Sequence, residues 1–189
     1  LGFLCRLLYG VRSQDLAGKL LSFAEQQLVD CDTGSNGCNG GNKTGAFNYF
    51  ASHGAMTESS YPYTAKTGTC KYSSSNTGVK SSSHTSVTAN NVTAMKAAVS
   101  KQPVSVSIEA DQPVFQSYKS GIMNSPLCGT QHDHATNVVG FGSSSGQEYW
   151  LMRNSWGTYW GESGYMRVAI VDGLGICGIQ MSPSYPTTN

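Results

Sequence analysis

The feature that most limits the fold is a change of hydrophobic rhythm at Pro103. Before it, apolar residues recur at helical spacing. Leu4, Leu7, Leu8 and Val11 stand at i, i+3, i+4 and i+7, one face of a helix that Gly18 could end. "SFAEQQLVD" sets Ser22 three residues ahead of Glu25, a capping-box pattern, and predicts a short second helix. "TGAFNYFASHG" predicts a third, with Thr44 as N-cap and Gly54 as the stop. "NVTAMKAAVSKQP" predicts another, ending before Pro103. After Pro103 the period becomes two. Val104, Val106 and Ile108 alternate with Ser105, Ser107 and Glu109, as in a half-buried strand. "ATNVVGFG", "EYWLMRN" and "GYMRVAI" continue as short strands between Gly-rich turns. Helices first and strands later predict an α+β protein in two lobes. The Ser-rich stretch 73–86 reads as a loop or a crossing between them.

Composition narrows the function. The chain has 189 residues, 39% hydrophobic and only 12% charged, with net charge +1. Without a Lys/Arg cluster, nucleic acid and anionic membrane surfaces are not expected partners. No apolar run reaches the 18 residues of a transmembrane helix. Six cysteines, at 5, 31, 38, 70, 128 and 177, suggest disulfides, and "CNGG" and "ICGIQ" lack the paired spacing of a zinc site. The sequons Asn42-Lys43-Thr44 and Asn91-Val92-Thr93 fit a secretory route. The opening "LGFLCRLLYG" has neither Met nor the pattern of a leader, and predicts a processed or shortened N-terminus.

Two of the four histidines fall in "QHDHATNVVGFG", and "YWLMRNSWGTYWGESGY" ends a strand on Asn154, followed by two Trp and three Gly. A neutral imidazole works as a base when one ring N–H is held by a fixed acceptor, leaving the other nitrogen free. The Asn amide oxygen supplies such an acceptor without burying a carboxylate. Indole bulk over the bond keeps water away. The natural partner of this pair is a cysteine, whose thiolate is the reactive form near neutral pH.

Those residues carry a resemblance. "FAEQQLVDCD", "GCNGG", "YPY", "QPVSV", "DHA…VGFG" and "NSWG..WGE.GY" stand in the order and approximate spacing of the papain-like cysteine proteases, over residues 20–189. The resemblance implies a two-lobe fold, with a helical lobe, an antiparallel β-barrel-like lobe and the cleft between. It divides the chain at 1–86, with 185–189 returning, and 87–184. His134 matches the family's catalytic histidine, Asn154 its orienting residue and Trp156 the shield. His132 matches no catalytic position and reads as a surface residue, with a place lining the cleft as the alternative; His53 and His84 read as solvated. The resemblance also pairs Cys31 with Cys70 and Cys128 with Cys177.

The family's nucleophile lies roughly 130–150 residues before its His and Asn, in a C-G-[SA]-C-[WY] turn. That turn occurs nowhere here. An ungapped count back from Cys31 sets the nucleophile one position ahead of Leu1, with the oxyanion-hole Gln further upstream. The expectation is therefore that the chain as given lacks both. Cys38 is left without its family partner. Cys5, in the apolar "FLCRLL", reads as a structural core thiol, with a rearranged disulfide to Cys38 and a substitute nucleophile as the alternatives.

By the same resemblance Gly40 and Gly41 present backbone to an extended peptide, while Asn42, Lys43, Ser107, Ala135 and Ser182 wall a side-chain pocket and Asp133 joins the substrate-binding set. Asn42-Lys43 stands where several members carry an aromatic-Pro pair, which changes the expected preference for a bulky apolar side chain. The implied activity is cysteine-type endopeptidase hydrolysis with no cofactor and no metal. The alternative is a catalytically inactive relative that binds peptides or proteins. The implied partners are peptide or protein substrates and cystatin-like inhibitors. The chain is expected to be monomeric, and secreted, lysosomal or vacuolar.

Overall fold

A computed structural model describes residues 13–14 and 20–187. The helix expected around Leu4–Val11, and Cys5 with it, lie outside the described residues. The chain divides into two compact units, one ending at Thr85 and rejoined by Pro186 and Thr187, the other Ser86–Tyr185.

In the first unit, β1 (Ser13–Gln14) pairs antiparallel with β2 (Leu20–Leu21). Helix α1 spans Glu25–Cys31 and α2 spans Lys43–His53. The expected capping box does not form. The N-cap of α1 is Ala24, without a side-chain bond, because Ser22 is already held as a strand-like segment whose carbonyl accepts from Glu58 N–H. The N-cap of α2 is Asn42 rather than Thr44; its side chain accepts the Thr44 N–H at 2.8 Å. Gly54 closes α2 at φ 78°. Phe23, Leu28, Phe47, Phe50 and Ala55 form the core between these elements. Gln27 lies fully inside it, donating to Gly54 O at 2.9 Å and accepting Met56 N–H at 2.7 Å. The Cys31–Cys70 disulfide ties the end of α1 to the loop that follows β3 (Ala55–Met56).

The Ser-rich stretch 73–86 is not a plain loop. It holds a 3-10 turn at Ser74–Asn76, β4 (Thr77–Val79), which pairs with β3 (Ala55–Met56), and β5 (Ser83–Ser86). Backbone pairing makes these strands, so side-chain pattern did not reveal them. His84 is half-buried and stacked on Phe47 at 5.8 Å, not solvated. His53 is exposed, stacked on Tyr49 at 4.5 Å.

The second unit is built on β6 (Val104–Ile108), β7 (Ile122–Met123), β8 (His134–Ser144), β9 (Gln147–Arg153), β10 (Tyr165–Ala169) and β11 (Ser184–Thr187), with α3 (Val92–Val99) and the short α4 (Pro113–Gln116). The sheet order is β5-β11-β6-β8-β9-β10-β7, and the chain passes between the units within β5 and β11. Its pairings are antiparallel where β11, β6, β8, β9 and β10 meet, and parallel between β10 and β7. The sheet is open: the barrel-like lobe implied by the resemblance does not close.

Val104, Val106, Ile108, Trp150, Met152 and Met166 fill the core of this unit, all fully buried. Strand β6 is more enclosed than its alternation predicts, since Ser105 on the other face is also buried, opposite Asn137. Gln180 is completely buried as well. Its oxygen accepts the Trp150 indole N–H at 3.1 Å, and its nitrogen donates to Val171 O at 2.9 Å and Gly173 O at 2.7 Å. The Cys128–Cys177 disulfide closes the end of the sheet nearest the start of β8.

Candidate active site

His134 is the first residue of β8 and pairs with Ile108 of β6. Asn154 follows β9 directly and is 5% exposed; its backbone N–H donates to Gly164 O at 2.9 Å. Because β8 and β9 are adjacent antiparallel strands, the start of one and the end of the other meet. His134 Nε2 lies 2.9 Å from Asn154 Oδ1.

A second contact fixes which atom donates. Asn154 Oδ1 also accepts the Ser155 backbone N–H at 2.7 Å. The reversed amide would turn its NH₂ against that N–H, donor to donor. The oxygen therefore faces the ring, Nε2 carries the proton, and Nδ1 keeps the lone pair. Burial lowers the imidazole pKa below its ordinary 6.5, and the Asn154 hydrogen bond and the Asp133 charge oppose that shift in part. Near neutral pH the ring is thus an uncharged base, with Nδ1 as the nitrogen that can take a proton.

The Trp156 ring lies 5.4 Å from the His134 ring, tilted 35°. It meets Phe115 of α4 edge-on at 5.4 Å and Trp160 at 5.3 Å, and Phe115 and Trp160 are themselves 5.3 Å apart. Trp160 N–H donates to Gln116 O. Trp156 is therefore held from behind by aromatic rings. The loop carrying it is pinned by Glu162, which takes a two-pronged bond from Arg167 at 2.6 and 2.9 Å and accepts Gly121 N–H at 2.9 Å. The Arg167 hydrogen bonds, first, lower the Glu162 pKa; burial opposes them, and the Gly121 N–H adds a further lowering. Gly161 sits at φ 58°, where a Cβ would lie 2.5 Å from Tyr165 O.

Asp133 is exposed, and its carboxylate accepts Ala110 N–H at 2.8 Å and Asp111 N–H at 3.1 Å. Ala135 is buried opposite half-buried Ser107. Exposed Ser182 precedes β11, and His132 faces Gly178 O at 3.1 Å. Gly40, Gly41, Asn42 and Lys43 lie in the first unit, on one turn leading into α2. Gly40 has φ 121°, and burial lowers the Lys43 pKa to about 8. The free thiol among the described residues, Cys38, is exposed in the 3-10 turn Gly37–Asn39. Among the described residues no group of three or more His, Cys, Asp or Glu is placed to hold a metal ion.

Sequence reasoning missed three participants. Phe115 carried no signal, because a four-residue helix shows no periodicity. The Ser155 N–H that fixes the amide is a backbone group. Glu109, read as the outward residue of a strand, is 7% exposed.

Comparison with known proteins follows the same lines. The family model described as papain family cysteine protease matches residues 9–187. The thiol protease SEN102 of Hemerocallis sp. is 48% identical over 179 residues, which are 92% of this chain and 49% of that protein. Cysteine proteinase RD21A of Arabidopsis thaliana is 44% identical over 94% of this chain and 39% of its own length. The chain thus spans about half or less of the curated relatives it matches. Among solved structures, the bromelain protease from Ananas comosus in complex with the E64 inhibitor superposes with TM-score 0.85 at 42% identity, covering 90% of this chain and 80% of that one. The proform of the ragweed pollen allergen Amb a 11 cysteine protease gives TM-score 0.89 at 34% identity, covering 100% of this chain and 58% of that one. The chain belongs to the papain family of cysteine proteases.

Proposed function

We propose that this chain belongs to a cysteine endopeptidase that hydrolyses peptide bonds through a thiolate–imidazolium pair, with His134 as the base. The observation that carries the reading is the His134–Asn154 bond at 2.9 Å beneath Trp156, with Nδ1 left as the free nitrogen. His134 takes the thiol proton on Nδ1, and the thiolate attacks the peptide carbonyl. The imidazolium then protonates the leaving amine, and the neutral ring activates the water that hydrolyses the thioester. Asn154 holds the ring in rotation and Trp156 shields their bond.

The thiol is not supplied by the described disulfides. We assign it to a cysteine of the family's nucleophile motif. Gly40, Gly41, Asn42, Lys43, Ser107, Asp133, Ala135 and Ser182 are assigned to substrate binding, and the protein to secretion or to a lysosomal or vacuolar compartment. Both disulfides support an oxidising compartment.

The test is expression of the whole natural coding sequence and assay on a fluorogenic peptide. The expected result is turnover that E-64 blocks and that His134→Ala abolishes. A folded, full-length protein without turnover, or turnover that survives His134→Ala, sinks the reading.

A further inference from the structure

Among the buried ionisable groups that the mechanism above does not use, Glu109 is the one that borders the segment leading into His134. Glu109 follows β6 directly and is 7% exposed. Its Oε1 accepts from the Gln112 side-chain amide at 2.8 Å, and its Oε2 accepts the backbone N–H of Gln131. Both donors are neutral. Burying a carboxylate is costly unless its oxygens are hydrogen-bonded, so these two contacts hold it in one place. Gly129 makes room for it: a Cβ there would run into the Glu109 carboxylate.

The bond is half of a reciprocal arrangement. Glu109, at the end of β6, reaches across to the N–H of residue 131. Asp133, just before β8, reaches back to the N–H groups of Ala110 and Asp111. Between them, Asp133 N–H donates to Ile108 O at 3.1 Å. Glu109 N–H donates to Cys177 O at 3.0 Å, so the disulfide to Cys128 anchors the same corner. The next residue along the chain is His134.

We propose that Glu109 is a positioning residue for His134: its carboxylate fixes segment 129–133 and so sets the height and direction from which the imidazole meets Asn154. The proposal rests on the reading of His134 as the base. Asp133 alone fixes the far side of the turn, at 110–111. Without Glu109 the Gln131 N–H loses its protein acceptor, and segment 129–133 loses the tie that holds it to the end of β6. A misplacement of about 1 Å at a reacting group can cost on the order of 10²-fold in rate.

Two variants of the full-length enzyme separate reach from bulk. Glu109→Leu fills the space without an acceptor. Glu109→Gln keeps an oxygen for Gln131 N–H, while the Gln112 amide turns to meet the new NH₂ and gives up its bond to the exposed Asp111 carboxylate. The expected result is a kcat at least roughly tenfold lower for Glu109→Leu with KM within about twofold, and recovery in Glu109→Gln. In ¹⁵N-labelled protein the exchange-protected His134 Nε2–H signal should be lost in the first and present in the second. Glu109→Leu that lowers Tm but keeps both kcat and that signal overturns the proposal, since Glu109 would then serve stability alone. If Glu109→Leu does not fold, Gly129→Ala drives the carboxylate off Gln131 from the other side. The same losses are expected there, and an unchanged kcat and Nε2–H signal overturns the proposal equally. If the wild-type enzyme cleaves no peptide, the functional reading fails by itself, and the Nε2–H comparison still decides the role of Glu109.

Discussion

Replacing Asn154 with Ala removes an acceptor that serves two donors, His134 Nε2–H and Ser155 N–H. A buried donor left without a partner costs about 1–3 kcal/mol. Part of this is returned, because the Asn154 NH₂ is itself buried with no partner and disappears with the side chain. The net loss of stability should be about 1–2 kcal/mol, or roughly 3–6 °C in Tm for a chain of this size. Turnover should suffer more. The ring loses its rotational restraint and its fixed tautomer, and the Nδ1 lone pair no longer faces the thiol by default. If that restraint is worth about 2–3 kcal/mol in the transition state, kcat falls roughly 30–150-fold at 1.36 kcal/mol per decade. KM should stay within about threefold, since the ring is not a binding contact. Asn154→Asp is the control. It keeps an acceptor for both N–H groups and adds a negative charge, so it should retain more activity than Ala while shifting the imidazole limb of the pH profile upward. The assay is steady-state kinetics on the natural full-length enzyme, paired with thermal melts. A folded Asn154→Ala enzyme with wild-type kcat would falsify the orienting role, whatever its Tm.

Acid should weaken the fold in two windows. The His134 pKa is lower folded than unfolded, so its stabilising share is complete above the ordinary 6.5 and is lost as pH falls below it; a Tm–pH curve that is flat there in wild type and His134→Gln alike contradicts this. The Glu162 pKa is also lowered, so the Arg167 tie to the Trp156 loop holds above the ordinary 4.5 and is lost as pH falls through the folded value; Glu162→Gln should flatten that lower limb, and an unaltered limb would exclude the pair as its cause. Removing the Cys128–Cys177 bridge by paired Ser substitutions should cost about 4 kcal/mol on loop-closure grounds, given its separation of 49 residues, and equilibrium unfolding in urea measures it; a change under about 1 kcal/mol would mean the unfolded state is already restrained there. Gly161→Ala should cost about 2 kcal/mol, from its positive φ and the approach to Tyr165 O, read from the same unfolding curves; a neutral result would show that the turn relaxes.

The sequence made strands legible where one face of a strand is apolar and helices legible where apolar residues recur in threes and fours. Strands β6, β8, β9 and β10 were expected on that basis, as were α1, α2 and α3. Strands β4 and β5 were not, since Thr77–Val79 and Ser83–Ser86 are defined by their backbone partners. Cap positions slipped for a related reason. Ser22 has the chemistry of a cap, but the chain needs its carbonyl for Glu58, while Asn42 outcompetes Thr44 by reaching the Thr44 N–H. At the candidate site, the chemistry of His134, Asn154 and Trp156 was visible as residue types at family spacing. What holds them was not: Phe115 and Glu109 act through contacts between segments far apart in the sequence, and Ser155 acts through its backbone.

The fully buried Gln180 has a consequence for how this protein ages. Its amide reads its surroundings by polarity, with oxygen toward an indole N–H and nitrogen toward two carbonyls. Hydrolysis of that amide to a carboxylate changes a single heavy atom and almost no volume. The product would nevertheless aim an anion at Val171 O and Gly173 O, with no donor left to answer either. A deamidation invisible to shape would thus strike at the fold from inside. Enclosure of the amide protects it from water, so chemical wear at this position should begin only after the second unit has opened.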